Sequence, residues 1–409
     1  MPTLTLLPFA LSAYMALRLL PALAAWPVVQ VATGVLLAVT AVAIPATFAE
    51  MWRRRPARAP WRHRLHVAGL VLIGLGSSLF VLTVLRDAGL VLLQLAAAVV
   101  PDVRAHGGWP AALPGAARLG ELSALAVPAL AGTASLAGWF GARRIAPVRT
   151  VEIPIAGLPA ALDGFTIAQI SDLHVGDTIR QREVAAIVDR VNALQADLVA
   201  ITGDLVDGPV ATLAPEVAPL ARLRSREGTF FVTGNHEYYS GAAPWLAELR
   251  RLGMQVLSNR HVVIRRGDAA LVLAGVTDWS AQRFDPSSPS DPAAAIRGAP
   301  ADAAVRVLLA HQPRSAAAAA DAGFDLQLSG HTHGGQFLPW TFFVRWQQPY
   351  TAGLRRLRSL WVYTSRGTGY WGPPMRFGAP SEITRIRLVA GDNPARPVRP
   401  TPVRRVPRS

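Results

Sequence analysis

Four long apolar runs occupy the first third of the chain. They lie at 1–17, 28–47, 65–85 and 123–142. A helix needs about 20 apolar residues to cross a bilayer, so the pattern predicts four membrane-spanning helices. Arg18 follows the first run, and we expect it to reach the interface or to face other helices. An uncleaved signal sequence is the alternative for the first run, but no arginine precedes it.

A further apolar stretch at 88–100 is too short to cross a bilayer by itself. It either extends the third helix past Arg86 and Asp87 or lies at the interface, and as a separate fifth span it would reverse the topology. Arginines cluster after the second and fourth runs, and such loops stay cytoplasmic. Four spans therefore place both the N-terminus and the C-terminal domain in the cytoplasm. The clustered residues are Arg53, Arg54, Arg55, Arg58, Arg62, Arg64, Arg143, Arg144 and Arg149.

Beyond residue 150, short β-rich apolar runs alternate with helical stretches. Strands are predicted at 165–170, 197–202, 230–233, 262–264, 270–275, 305–310, 326–328, 361–364 and 383–389. Helices are predicted at 181–194, 215–223, 244–252 and 315–322. This alternation favours an α/β sheet covered by helices. The predicted domains are a transmembrane helical anchor at 1–146, an α/β domain at 147–390 and a disordered basic Pro/Arg-rich tail at 391–409.

The composition agrees with a membrane protein. Hydrophobic residues make up 51% of the 409 positions and charged residues only 16%, against about 25% charged residues in a typical soluble domain. So apolar a chain is not intrinsically disordered. The sequence has no cysteine, which excludes disulfides, thiolate metal sites and cysteine nucleophiles.

The net charge of +15 comes entirely from arginine, because the chain has no lysine. Most of the excess lies in residues 1–150, at +9, and in the last 19 residues, at +4, which leaves 151–390 at +2. A nucleic-acid-binding domain would carry a basic stripe there. We therefore expect no nucleic-acid partner.

Polar side chains follow several of the predicted strands directly. Ligand sites in open α/β sheets lie at the carboxyl ends of strands, so these side chains are expected to converge. Carboxylate, imidazole and amide groups suit Mn, Fe or Zn. Two such ions about 3.5–4 Å apart can activate a water and stabilise a phosphoryl displacement. The side chains are those of Asp172, His174, Asp204, Asn235, His311, His331 and His333.

The order of these blocks resembles the calcineurin-like metallophosphoesterase superfamily. The blocks are Asp-x-His, Gly-Asp-x-x-Asp, Gly-Asn-His-Glu, a single His and Gly-His-x-His, spread over residues 150–390. Ile-Ser-Asp-Leu-His-Val-Gly at 170–176 and Ser-Arg-Gly-Thr-Gly at 365–369, with the apolar runs, resemble its membrane-anchored bacterial branch. Transmembrane proteins with metallophosphoesterase domains are similar. The resemblance implies a four-layer αββα sandwich and a location in the bacterial inner membrane.

The resemblance also implies roles for individual residues around two divalent ions (Mn, Fe or Zn). The first metal takes Asp172, His174 and His333, and the second takes Asn235, His311 and His331. Asp204 resembles the ligand that bridges the two ions. His236 resembles the residue that contacts the phosphate and protonates the leaving group. Asp204 and His236 are thus the catalytic candidates.

Three further polar residues are candidates for substrate contact or for support of the ligands. Asp207 either orients a ligand or caps a loop. Glu237 either holds His236 or a nearby arginine, or is an ordinary exposed charge. Arg366 lies among glycines in a segment that suits phosphate binding, since its guanidinium can bind two oxygens at once.

Several aromatic residues allow two interpretations. Tyr238 and Tyr239 either line the substrate cleft or pack in the core. Trp340, Trp346 and Trp371 either contact lipid or pack against other side chains.

The leading hypothesis is an integral-membrane, two-metal phosphoesterase that acts by metal-activated hydroxide attack. Its substrate is a diester, a monoester or a pyrophosphate, and the anchor favours a lipid-linked one. One alternative is a non-catalytic membrane scaffold or sensor, against which the complete ligand set argues. A second is a small membrane transporter with an appended domain, weakened because few charges lie in the apolar runs.

Overall fold

The computed structural model describes residues 2–52, 60–99, 115–338 and 340–391. The chain divides into two compact units. One comprises Met1–Arg143 and Gly372–Phe377, and the other comprises Arg144–Trp371 and Gly378–Ser409. Outside the described residues lie the predicted tail from position 392 onward and four arginines of the predicted basic loop, namely Arg53, Arg54, Arg55 and Arg58.

The first unit consists of four long helices. They are α1 (Pro2–Leu19), α2 (Pro27–Trp52), α3 (Pro60–Val99) and α4 (Ala116–Ala142). Among the described residues, these four are long and apolar enough to cross a membrane, which agrees with the predicted number of spans. The ambiguous stretch after Asp87 continues α3, the first of the two alternatives for it.

Charged side chains inside the helical unit face one another. The Asp87 carboxylate accepts hydrogen bonds from Tyr14 Oη and Arg18 Nε, both at 2.7 Å. Arg86 pairs with the same carboxylate at 2.9 Å and donates to Ser123 Oγ at 3.0 Å. These bonds join α1, α3 and α4, and an ionic side chain in an apolar helix bundle needs such partners. Arg18 thus faces other helices, as one of its two predicted placements required.

Two six-stranded sheets form the centre of the second unit. The strands are β1 (Val148–Ile155), β2 (Thr166–Ile170), β3 (Leu198–Ile201), β4 (Thr229–Phe231), β5 (Gln255–Val256), β6 (Arg260–Arg266), β7 (Ala269–Gly275), β8 (Val305–Leu309), β9 (Leu326–Ser329), β10 (Gly353–Leu357), β11 (Leu360–Thr364) and β12 (Ile383–Ala390). The first sheet has the order β1-β12-β2-β3-β4-β5, and the second β10-β11-β9-β8-β7-β6. Within them, β2 to β5 run parallel, as do β7, β8, β9 and β11.

Seven α-helices accompany the two sheets in the part of this unit that the structure describes. They are α5 (Gln181–Asn192), α6 (Val210–Val217), α7 (Asn235–Ser240), α8 (Ala242–Arg251), α9 (Pro292–Ile296), α10 (Ala316–Asp321) and α11 (Trp340–Phe343). A continuous core between the sheets contains Ile167, Phe230, Leu273 and Leu328, all buried. Small side chains of α9 and α10 pack on the second sheet with Phe324. The predicted four-layer αββα sandwich is therefore confirmed.

Local differences from the predicted elements have simple causes. The helix predicted at 215–223 is instead α6, which ends at Val217 and continues as a 3-10 helix over Ala218–Arg222. Pro219 has no amide hydrogen to continue an α-helical ladder there. The strands β1, β5 and β10 and the helices α9 and α11 were not predicted, and neither was α7, which begins at a predicted site residue, Asn235.

Candidate metal centre

The predicted site residues follow the carboxyl ends of parallel strands in both sheets. Asp172 and His174 follow β2, Asp204 follows β3, and Asn235 begins α7 after β4. In the second sheet, His311 follows β8, while His331 and His333 follow β9. The two edges are joined directly, since Gln169 Nε2 donates to Ser329 O at 3.0 Å. The seven residues, distant in sequence, thus lie together.

One group of candidate ligands contains Asp172, His174 and His333. The Nε2 atoms of the two histidines are 3.1 Å apart. His333 Nε2 lies 3.4 Å from Asp172 Oδ1. One ligand atom from each residue falls within 4.8 Å of the others, a spacing that a single ion can bridge.

A second group contains Asp204, His311 and His331. His311 Nε2 lies 3.1 Å from Asp204 Oδ2 and 3.2 Å from His331 Nδ1. The other ring nitrogen of His311, Nδ1, donates a hydrogen bond to the carbonyl oxygen of Thr202 at 2.7 Å. This bond leaves Nε2 for a metal. Asp204 Oδ2 is also 3.9 Å from His174 Nε2, so this carboxylate of the second group also adjoins the first group.

Two buried oxygen atoms at the centre are available to metal ions. Asp172 Oδ2 and Asn235 Oδ1 make no hydrogen bond, although both are buried. A buried acceptor without a partner costs about 1–3 kcal/mol, and coordination to a metal ion would remove that cost. The donor set of carboxylate, amide and imidazole is that of Mn, Fe or Zn sites.

The backbone at the ligand positions is unusual. Asp172, His174, Asp204, His331 and His333 all have positive φ, between 51° and 72°. Left-handed backbone in residues other than glycine costs about 1–3 kcal/mol each and clusters at functional sites. The turns aim each side chain into the space between the sheet edges.

Two glycines let the ligand loops approach closely. A Cβ on Gly330 would lie against Ser171 Oγ and Asp172 Oδ2, and one on Gly234 would lie against Asp204 Oδ1. Any larger residue at either position would displace a candidate ligand. Steric crowding therefore explains why glycine precedes both Asn235 and His331.

Asp207 connects the first ligand group to His236. Its Oδ1 lies 2.9 Å from His174 Nδ1 and 2.7 Å from His236 Nδ1. These contacts occupy the Nδ1 atoms and leave Nε2 of His174 to the ligand group. Asp207 therefore orients two histidines, one of the two roles weighed for it in the sequence.

Glu237 has neither of its predicted environments. It is fully buried and contacts the backbone instead of an arginine or the His236 ring. Its carboxylate accepts the amides of Asp204 at 3.0 Å, Leu205 at 2.7 Å and Gly234 at 2.6 Å. The side chain fixes the turn that carries Asp204 to the turn that precedes Asn235, so the exposed-charge interpretation is wrong. Sequence offers no signal for these contacts beyond the Gly-Asn-His-Glu block itself.

The Arg366 guanidinium is engaged by a carboxylate. Arg366 pairs with the buried Glu382 at 3.4 Å, and its Cγ lies beside Gly334, the residue after His333. Thr368, two residues later, donates its amide to Ser171 O at 2.7 Å. The segment around Arg366 thus supports the loop that carries Asp172.

Burial and neighbouring charges shift the pKa values of Asp204, His331 and His236 in different directions. Burial alone would raise the pKa of Asp204, but the charges of His311 and His236 hold it well below its usual value. Burial, together with the nearby charge of His311, lowers the pKa of His331 to about 3. Burial opposes charge on His236, but Asp204 and Asp207 outweigh it and raise the pKa of His236 to about 9.

A polar cluster that the sequence did not single out lies behind the second ligand group. Gln312 Nε2 donates to both carboxylate oxygens of Asp278, at 3.1 and 3.2 Å. The amide of Gln348 lies within hydrogen-bonding distance of Gln312 and, in its alternative amide orientation, of His331 Nε2. The only sequence hint was the position of Gln312 directly after His311.

Known proteins resemble this chain in sequence. The family model described as Calcineurin-like phosphoesterase matches residues 165–335. A "Transmembrane protein with metallophosphoesterase domain" of Bos taurus is 40% identical over 267 residues, which cover 63% of this chain and 60% of the bovine protein. This chain thus matches less than two thirds of that relative's length.

Two bacterial relatives complete the comparison. A metallophosphoesterase of Helicobacter pylori (strain J99) is 39% identical over 226 residues, 54% of this chain and 59% of the relative. The metallophosphoesterase YkuE of Bacillus subtilis (strain 168) is 31% identical over 271 residues, 63% of this chain and 92% of the relative. With the α/β sandwich and the clustered histidines and aspartates, these matches show that the chain belongs to the calcineurin-like metallophosphoesterase family.

Proposed function

We propose that the protein is a membrane-anchored, two-metal phosphoesterase that hydrolyses a phosphate ester. The observation that carries this proposal is the position of Asp204, which lies near His311 of its own ligand group and His174 of the other, with His236 beside it. Members of the family bind divalent metal ions, and the two groups offer ligand sets for two. A pair of such ions lowers the pKa of a water and neutralises charge on phosphoryl oxygens.

The first ion takes Asp172, His174 and His333 in this proposal. The second takes Asn235, His311 and His331, and Asp204 is shared by both. The buried oxygens of Asp172 and Asn235 that make no hydrogen bond support this assignment, because a bound cation would give each of them a partner.

His236 is the proposed proton donor to the leaving oxygen. Its backbone amide donates to Asp204 Oδ1 at 2.8 Å, which fixes the residue beside the shared ligand. Its Nδ1 contacts Asp207, so Nε2 is the nitrogen that gives a proton to the substrate. A positioned acid of this kind contributes about 10²–10⁴-fold to a rate.

The proposed location is the bacterial inner membrane, with the catalytic domain in the cytoplasm. Four spans return the chain to the side on which it began, and arginines follow the second and fourth spans. Because the chain has no cysteine, Arg358→Cys provides a single thiol at an exposed position of the α/β unit. In intact cells, a membrane-impermeant maleimide should leave this thiol unlabelled until the cells are lysed. Labelling before lysis would place the domain outside.

Activity is tested on the full chain in detergent. Metal is stripped with a chelator and Mn²⁺ is restored, and hydrolysis of a chromogenic phosphomonoester is compared with that of the matching diester. We expect metal-dependent turnover that Asp204→Asn abolishes and that Asp189→Asn, at an exposed position, leaves intact. The preferred ester decides between a monoester and a diester substrate.

The competing proposal, a scaffold or sensor, predicts a different outcome. A folded protein that binds no metal, or one whose turnover survives Asp204→Asn, would contradict the two-metal mechanism. Metal binding without turnover of either simple ester would direct the search to pyrophosphates and lipid-linked esters.

A further inference from the structure

Three aromatic side chains surround His236 at the surface of the α/β unit. We call Tyr239, Phe284 and Trp371 the aromatic rim. They come from three separate parts of the chain: α7, the segment after β7 and the segment after β11. Their exposed fractions are 44%, 50% and 43%. Apolar side chains that converge from three segments and stay this exposed mark a binding surface more often than isolated ones do.

The rim is continuous with the proposed proton donor. The His236 ring centroid lies 5.2 Å from that of Tyr239 and 5.6 Å from that of Trp371. Tyr239 in turn lies 5.6 Å from Phe284. Since His236 gives its proton to the leaving oxygen, the atoms beyond that oxygen must pass along this surface.

The ring orientations decide what kind of leaving group fits. The three contacts have interplanar angles of 65°, 72° and 62°, so the rings meet edge to face. The ring that stacks on Phe284, at 27°, is Tyr238, which already occupies that face. These contacts form an irregular apolar wall and no parallel slot for a planar ring. A flexible hydrocarbon chain can follow such a wall, whereas a nucleobase binds best flat against a ring face, and Tyr238 already covers one face of Phe284.

We propose that the aromatic rim binds the alkyl chain of an amphiphilic phosphate ester whose alcohol is the leaving group. This inference rests on the proposed phosphoesterase function and names its substrate class. In the reaction, water adds to phosphorus and the bond between phosphorus and the alcohol oxygen breaks. That oxygen keeps the bonding electron pair and takes a proton from His236 Nε2. The products are a free alkanol and a phosphate.

The first test is binding, which does not require turnover. Butylphosphonate and hexylphosphonate cannot be hydrolysed because their phosphorus–carbon bond is stable. Their Kd values for the Mn²⁺-loaded full chain are measured by isothermal titration calorimetry. Two more buried methylene groups should tighten binding by about tenfold. Equal Kd values for the two phosphonates would overturn the proposal.

Substitutions in the aromatic rim then test whether the chain-length preference arises there. We expect Trp371→Ala and Tyr239→Ala to remove most of the tenfold preference, while Trp371→Phe keeps a large part of it. Trp346→Ala is the matched control, because Trp346 is 78% exposed and contacts Phe343 instead of the rim. Partition into detergent is the same for all variants, so a change in the preference reports on the protein. Equal losses for both phosphonates would indicate a structural role for the rim and refute the inference.

A comparison of benzylphosphonate with hexylphosphonate tests whether the rim prefers an alkyl chain or a planar ring. Benzylphosphonate carries a planar group of similar size to the hexyl chain. Tighter binding of the benzyl compound that depends on Trp371 would overturn the choice of an alkyl chain in favour of an aromatic leaving group. Chain-length-dependent binding without turnover of any ester would support the rim and contradict the proposed activity, so the two failures are distinguishable.

Discussion

Substitution of Gly330 by alanine is a steric test of the metal centre. Gly330 is the single residue between the end of β9 and His331. A Cβ there would lie well inside 3.0 Å of both Ser171 Oγ and Asp172 Oδ2, closer than real Cβ atoms approach other heavy atoms. The Asp172 carboxylate would have to move by about 1 Å, and a displacement of that size costs about 10²-fold in activity.

The neighbourhood leaves Asp172 no inexpensive way to move. Its Oδ1 accepts the amide of His331 at 2.8 Å, so a rotation of the carboxylate breaks that bond. Its backbone is left-handed, and its carbonyl oxygen accepts the amide of Gly369 at 3.0 Å. We therefore expect a loss of metal affinity together with a loss of about 1–3 kcal/mol in the free energy of unfolding from overpacking.

The assay measures bound metal and turnover in the same samples. Gly330→Ala and wild type are loaded with Mn²⁺, desalted and analysed for metal per chain, and their hydrolysis rates and melting temperatures are compared. Gly132→Ala, in α4, is the control, since a Cβ there meets no atom within 4 Å. Full metal content and activity in Gly330→Ala would refute the assignment of Asp172 Oδ2 as a ligand.

Three further substitutions follow from the contacts of buried carboxylates. Asp207→Asn should lower turnover by about 10–100-fold in steady-state assays while most metal is retained, since it weakens the orientation of His236. Glu237→Gln should lower the melting temperature and the metal content, because its amide NH₂ would face a backbone amide donor. Burial opposes the charge on Asp197, but hydrogen bonds that include one from Arg266 lower its pKa. Its stabilisation is therefore present at neutral pH and is lost as the pH falls through the folded-state pKa. Asp197→Asn should cost about 1.5–3 kcal/mol at pH 7 and progressively less as the pH falls towards and below the folded-state pKa, measured by denaturant unfolding.

Much of the fold follows from local sequence, because the α/β unit alternates short apolar runs with amphipathic ones. The strand at 305–310 was predicted within one residue of β8, and the hairpin around Gly267 is present as β6 and β7. The order of strands in a sheet depends on contacts between distant segments. β12, the last strand, lies between β1 and β2 and runs antiparallel to β2, which no local pattern specifies.

The ligand residues of the candidate site were predictable from the sequence. The residues that hold the ligand loops in place were less so. Asp172, His174 and the other ligands follow strands, and the rule that carboxyl ends of parallel strands share an edge brings them together. Glu237 differs, because a glutamate beside a histidine shows neither burial nor partners in the sequence. Its environment depends on the amides of Asp204 and Gly234, which only the folded turns place within reach.

The same turns explain why the centre needs both sheets. Five of its candidate ligands have left-handed backbone, and each such residue costs about 1–3 kcal/mol that neighbouring contacts must offset. For Asp204, the offset comes from Glu237 and from the His236 amide, both in the α7 turn after β4. For Asp172, it comes from the amides of His331 and Gly369, which follow strands of the other sheet. Each ligand loop is thus held by a loop from elsewhere in the chain. A substitution that loosens one loop should therefore disturb ligands on another, as Gly330→Ala is designed to show for Asp172.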